Sequence, residues 1–159
     1  MMHTPSPSLL IIGIGTDYGC DDAAGLIVAR ALKARRLSNC IILEQSGEGA
    51  RLIEAWQGFQ SVVLIDAVAS RAKAGTIYCF DAHAQPIPTS VFARSTHAFG
   101  VAEAIELARV LNQLPLSLMV YGIEGKCFTA GTGLTPSVAR AAKKVAEQIA
   151  QATLTVCIA

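Results

Sequence analysis

The chain has 159 residues and a formal net charge of +1, with 52% hydrophobic and 16% charged residues. That length suits one domain with a full core, and the hydrophobic content excludes a disordered chain. Near-neutral charge gives no footprint for nucleic acid or an anionic membrane, and no apolar run approaches the ~20 residues needed to span a bilayer.

The opening "MMHTPSPS" is short and polar, with no basic segment ahead of an apolar one, so it does not read as a secretory signal. The five cysteines, at 20, 40, 79, 127 and 157, are odd in number and form no CxxC pair. Reduced thiols and a cytoplasmic location are therefore expected, rather than a disulfide framework or a zinc knuckle.

"LLIIGIG", from Leu9, is a continuous apolar run, as expected of a strand buried on both faces. A helical pattern follows from about Asp22 to Arg36. "CIILEQ" (40–45) reads as a second strand, and "GEGARLIEAWQGF" as a short helix ending near Gly58. "SVVLIDAV" (61–68) is a third buried strand. "GTIYCFDA" (75–82) alternates and reads as a less buried strand, and 83–95, with two prolines, as a loop.

From Ala98 to Gln113, Val101, Ala104, Ile105, Ala108 and Leu111 keep helical spacing, with Glu103, Glu106 and Arg109 on the other face. "PLSLMVYGIE" is the last core strand. The glycine-rich "GKCFTAGTGLTP" (125–136) reads as a mobile loop. Pro136 suits the first turn of a final helix to about Ala152, with Val138, Val145 and Ile149 inward. Strands alternating with helices predict an α/β sandwich with a mostly parallel sheet, and the short connection at 68–75 predicts one antiparallel strand. No repeat, linker or second domain is visible.

Ligands of open parallel sheets bind beyond the carboxyl ends of the strands. Asp21, Asp22, Glu48, Asp66, His97 and Glu124 all map to that edge. Asp21 reads as a helix cap, with Asp22 in the first turn. Asp66 closes a buried strand with no basic residue among the next four, where a lone carboxylate is costly. His97 in "STH" opens a helix, where Ser95 or Thr96 would serve as cap. His3 and His83 read as solvated. Cys20 and Cys127 flank the same edge without a sign of activation. Two carboxylates and an imidazole from three elements suit a borderline divalent metal such as zinc, nickel, iron or cobalt, with coordination positions left open.

The rival reading is a dinucleotide loop, because "GIGTDYG" has glycines in plausible positions and Glu44 ends the second strand. Asp17, Asp21 and Asp22 would repel the phosphates such a loop attracts. The chain also leaves no room for a substrate domain.

"GIGTDYGCDDAAGLIVARAL", "VVLIDAV", "STHAFGVAEAIELARVL" and "YGIEGKCFTAGTGLTPSVARAAKKV" together resemble the hydrogenase maturation proteases, from about Leu9 to Ala150. These endopeptidases trim the C-terminal extension of nickel-iron hydrogenase large subunits. The resemblance implies a three-layer α/β/α sandwich, phosphorylase/hydrolase-like, whose five-stranded sheet is mostly parallel with one antiparallel strand. It implies a single peptidase domain over 1–159, with 1–7 and 153–159 as peripheral tails.

Carried over by motif, the family's metal ligands fall on Asp22, Asp66 and His97, which are then also the catalytic residues. The metal is nickel carried by the substrate, although another divalent metal would fit the free protein. The implied partner is a large-subunit precursor, with no nucleic acid and no membrane insertion. Two mechanisms stay open: the metal activates carbonyl or water, or Asp22 and Asp66 act as an aspartyl-type acid/base pair. A non-enzymatic metal-site chaperone is the alternative function. The sequence departs from the family pattern at Thr16, where asparagine is usual, and at "QSGEGA" (45–50), where many members have an Asp-Gly-Gly-Thr type loop. That loop bears on which precursor is recognised.

Overall fold

The computed structural model describes residues 8–92 and 98–158, with side chains to 155. Five strands form one sheet in the order β2-β1-β3-β5-β4: β1 (Leu9–Ile14), β2 (Cys40–Gln45), β3 (Ser61–Val68), β4 (Ile77–Asp81) and β5 (Ser117–Glu124). All neighbours pair parallel except β4, which runs antiparallel along β5 with Ile77 opposite Ile123. The expected five-stranded, mostly parallel sheet with one antiparallel strand is present.

Four helices cover it: α1 (Ala24–Ala34), α2 (Gly49–Trp56), α3 (Val101–Val110) and α4 (Pro136–Ile158). Side-chain alternation along β1 splits the core in two. Leu10, Ile12 and Ile14 point toward α2 and α3, where they meet Leu52, Trp56 and Ile105. Ile11 points to the other side and packs with Val28 and Leu32 of α1 and Val138 and Val145 of α4. Each fully buried aliphatic side chain contributes about 1.5–3 kcal/mol. The indole N–H of Trp56 donates to the Gln113 carbonyl at 3.1 Å, which ties α2 to the end of α3.

Three elements differ from their expected bounds. The first helix opens as a single 3-10 turn, Cys20–Ala23, and becomes α-helical only at Ala24. α3 ends at Val110, so Leu111 falls past the helix and is 52% exposed instead of joining the inward stripe. The last helix continues through 153–158, which are part of α4 and not a tail. Among the described residues no helix is long and apolar enough to cross a membrane.

α1 lies unusually close to the sheet, and glycines permit it. A Cβ on Gly13 would stand 2.3 Å from the Gly25 carbonyl oxygen, and one on Gly25 would stand 2.3 Å from that of Ile65. Gly13 therefore serves close approach. Gly15 serves a turn, with φ +153° and a Cβ position blocked by the Asp22 carbonyl.

Candidate active site

From β1 the chain passes through α1 to β2 on one side, then through α2 to β3 on the other. The topological switch point is thus between β1 and β3, where an open sheet leaves a crevice beyond its carboxyl ends. Asp66 stands in β3 beside the end of β1. Asp22 stands in the 3-10 turn, which packs against β3. The structure brings this pair together.

Burial pushes the Asp66 carboxyl up to about 8, and the nearby Asp22 charge adds to the rise; the Ala67 N–H opposes it. A divalent cation between the two carboxylates would supply the missing opposite charge. His97 lies outside the described residues, as do Ser95 and Thr96. Among the described residues no group of three His, Cys, Asp or Glu side chains is placed to hold a metal.

Asp21 does something other than cap α1. Neither the 3-10 turn nor α1 has a side-chain cap. The Asp21 carboxylate is fully buried and turns toward the 125–135 loop. It accepts the backbone N–H groups of Lys126 (2.8 Å), Cys127 (2.9 Å) and Thr135 (2.7 Å), and the Thr135 hydroxyl. Burial opposes the charge, but these donors outweigh it and hold the carboxyl below its usual range.

The backbone reinforces the junction. Cys20 N–H donates to Gly131 O, Asp21 N–H to Cys127 O, and Gly131 N–H to Tyr18 O. The glycine-rich loop is therefore fastened at both ends and in the middle. Sequence reasoning missed Thr135 because its partner is 114 positions away. The only local signal was a threonine before the proline that opens a helix.

The other acids of this edge have structural partners. Glu48 is the N-cap of α2, accepting from Ala50 N–H and Arg51 N–H. Glu124 is buried at the end of β5, where it accepts the Ser70 N–H and, at 2.7 Å, the Ser70 hydroxyl. Asp17 and Glu44, which bore on the nucleotide reading, both bind Arg30 on the surface. The Arg30 hydrogen bond holds the Asp17 carboxyl below its usual range despite slight desolvation. Glu44 is thus engaged where a ribose would need it. Among the described residues Cys20, Cys40, Cys79 and Cys127 form no disulfide. His83 is exposed, with Nε2 2.7 Å from the Pro115 carbonyl oxygen.

An α/β/α sandwich with an acidic crevice at its switch point defines a class of small α/β proteins that keep their chemistry in the loops beyond the strands. Within it, this chain belongs to the hydrogenase maturation protease family, whose model matches residues 27–152. It is 25% identical over 145 residues to the hydrogenase 2 maturation protease of Escherichia coli K12, covering 89% of this chain and 87% of that one.

Its fold is similar to the solution structure of an endopeptidase from Escherichia coli, with a TM-score of 0.75, 23% identity and coverage of 89% and 88%. It is also similar to the [NiFe] hydrogenase maturation protease HycI from Thermococcus kodakarensis, with a TM-score of 0.71, 22% identity and 93% coverage of both chains. The family model takes in Asp66 and the position of His97 but begins after Asp22.

Proposed function

We propose that this protein is an endopeptidase that removes the C-terminal extension of a nickel-iron hydrogenase large-subunit precursor already loaded with nickel. The observation that carries the reading is the Asp22–Asp66 pair at the switch point of a chain of this family. In this reading Asp22, Asp66 and His97 contact the nickel, which arrives as part of the substrate. Two anionic oxygens and an imidazole suit such a cation, and they leave positions for the scissile carbonyl and water. Holding the bond beside the metal supplies rate through positioning and through polarisation of the carbonyl. Asp66, desolvated beside Asp22, also supports the second mechanism, in which the two acids exchange protons with water and leaving group.

The deciding experiment mixes the protein with nickel-loaded and nickel-free precursor and weighs the products. Shortening of the loaded precursor alone is expected. Asp22→Asn, Asp66→Asn and His97→Ala should each abolish it. Normal cleavage by Asp66→Asn or His97→Ala removes the assignment of ligands. Efficient trimming of nickel-free precursor removes the role of the metal. Binding without shortening identifies a metal-site chaperone instead.

A further inference from the structure

A second polar feature lies on the same edge of the sheet, past the junction that Asp21 makes with Thr135. It is a cleft of about 500 Å3 between the β3–β4 connection and the first turns of α4. Lys73 rises from one wall and Arg140 and Lys144 from the other, with the Thr76 and Ser137 hydroxyls between them. No carboxylate among the described residues lines it. Among the described residues none of the three cations forms an ion pair. Three positive charges therefore gather at one cleft in a chain whose formal net charge is only +1.

The walls are fixed. Gly75, at φ +85°, approaches α4 so closely that a Cβ would stand 2.8 Å from the Ser137 carbonyl oxygen. Its N–H donates at 2.8 Å to the carbonyl of Glu124, at the end of β5.

We propose that this cleft binds an acidic segment of the precursor polypeptide while the scissile bond lies in the crevice at Asp22 and Asp66. The proposal rests on the peptidase reading. Charge complementarity names the ligand as anionic. The layout favours a chain over a small ion: Arg140 and Lys144 stand one helical turn apart, and Lys73 belongs to a different element, so the three charges are spaced along the cleft. Side-chain carboxylates along an extended peptide match that spacing.

The test compares wild type, Lys73→Glu, the double variant Arg140→Glu/Lys144→Glu, and Lys143→Glu, which reverses one charge on α4 outside the cleft, as Lys73→Glu does within it. Affinity for nickel-loaded precursor is measured by calorimetry at low and high salt, and cleavage of the same precursor is followed by mass. The double variant should bind about tenfold more weakly or worse, with a shallower salt dependence, a raised KM and an unchanged kcat. Lys143→Glu should stay near wild type. Equal behaviour of the double variant and Lys143→Glu overturns the proposal, and so does a wild type with no affinity for the precursor. Inorganic phosphate is titrated in parallel. If it binds wild type but not the double variant, while both hold the precursor equally, the cleft takes a small anion and the proposal fails. Wild type that binds but never cuts refutes the peptidase reading, and the affinity comparison still decides the cleft.

Discussion

The Asp22 carboxylate stands close enough to Asp66 for its charge to add to the desolvation that lifts Asp66 to about 8. A buried acid held beside the charge of a second acid is costly to the fold unless a cation comes between them.

The sign of the pH effect follows. Asp66 rises from an ordinary 3.8 to about 8 on folding, so across that window the folded state holds a proton that the unfolded chain has released. Stability of the metal-free protein should therefore fall as pH rises from about 4 to 8. Asp66→Asn should flatten this slope and raise stability at pH 8 by on the order of 2 kcal/mol. Thermal melts of both proteins across that window check it, and parallel curves would refute it.

Asp21 predicts the opposite limb. Its carboxyl is held below its unfolded value of 3.8. It stabilises the fold above that value, and the contribution is lost as pH falls through the folded pKa. Asp21→Ala leaves the Lys126, Cys127 and Thr135 N–H groups without their acceptor and should cost about 3 kcal/mol or more. Chemical denaturation measures the loss. Amide exchange should show it concentrated in 125–135.

Gly25→Ala tests the close approach of α1. The added methyl would meet the carbonyl oxygens of Ile65 and Ile14 at 2.3 and 2.4 Å. Overpacking of this kind costs about 1–3 kcal/mol. The helix must back away, and the turn carrying Asp22 is joined directly to its start. Precursor cleavage should thus fall further than the stability loss alone explains, as the rate at a temperature where the variant is fully folded would reveal.

Arg30 offers a contrast. It binds both Asp17 and Glu44, but all three side chains are substantially exposed. Exposed pairs are screened and bought at the expense of side-chain entropy. Arg30→Ala should leave the melting temperature nearly unchanged, and added salt should erase what difference there is. A large loss would show that the loop 15–19 depends on this arginine.

The strands were the most legible part of the molecule. β2 and β3 keep the bounds expected of them; in β3 this is because a parallel strand covered on both faces carries a largely hydrophobic run. Helix ends were less so: Glu103 reaches back to Gly100 N–H, and α3 starts at Val101 rather than at the expected Ala98.

In the sequence, Asp22 and Asp66 could be placed on one edge of the sheet because one follows the first strand and the other closes the third. The purpose of Asp21 was not legible. An acid at the start of a helix looks like a cap, and its donors lie 105 to 114 positions downstream. Glu48, which maps to the same edge, begins a helix, and the N–H groups of Ala50 and Arg51 take both of its oxygens.

The bond from Asp21 to Thr135 also fixes an order of events during synthesis. Everything from β1 to β5 precedes Thr135 in the chain. While those elements emerge from the ribosome, the Asp21 carboxylate has none of its long-range donors and stays hydrated. The loop entropy of so distant a contact is recovered only when α4 arrives and docks beside α1. The turn that aims Asp22 is therefore among the last parts to become rigid, and an unfinished chain cannot present a competent crevice to other polypeptides around it.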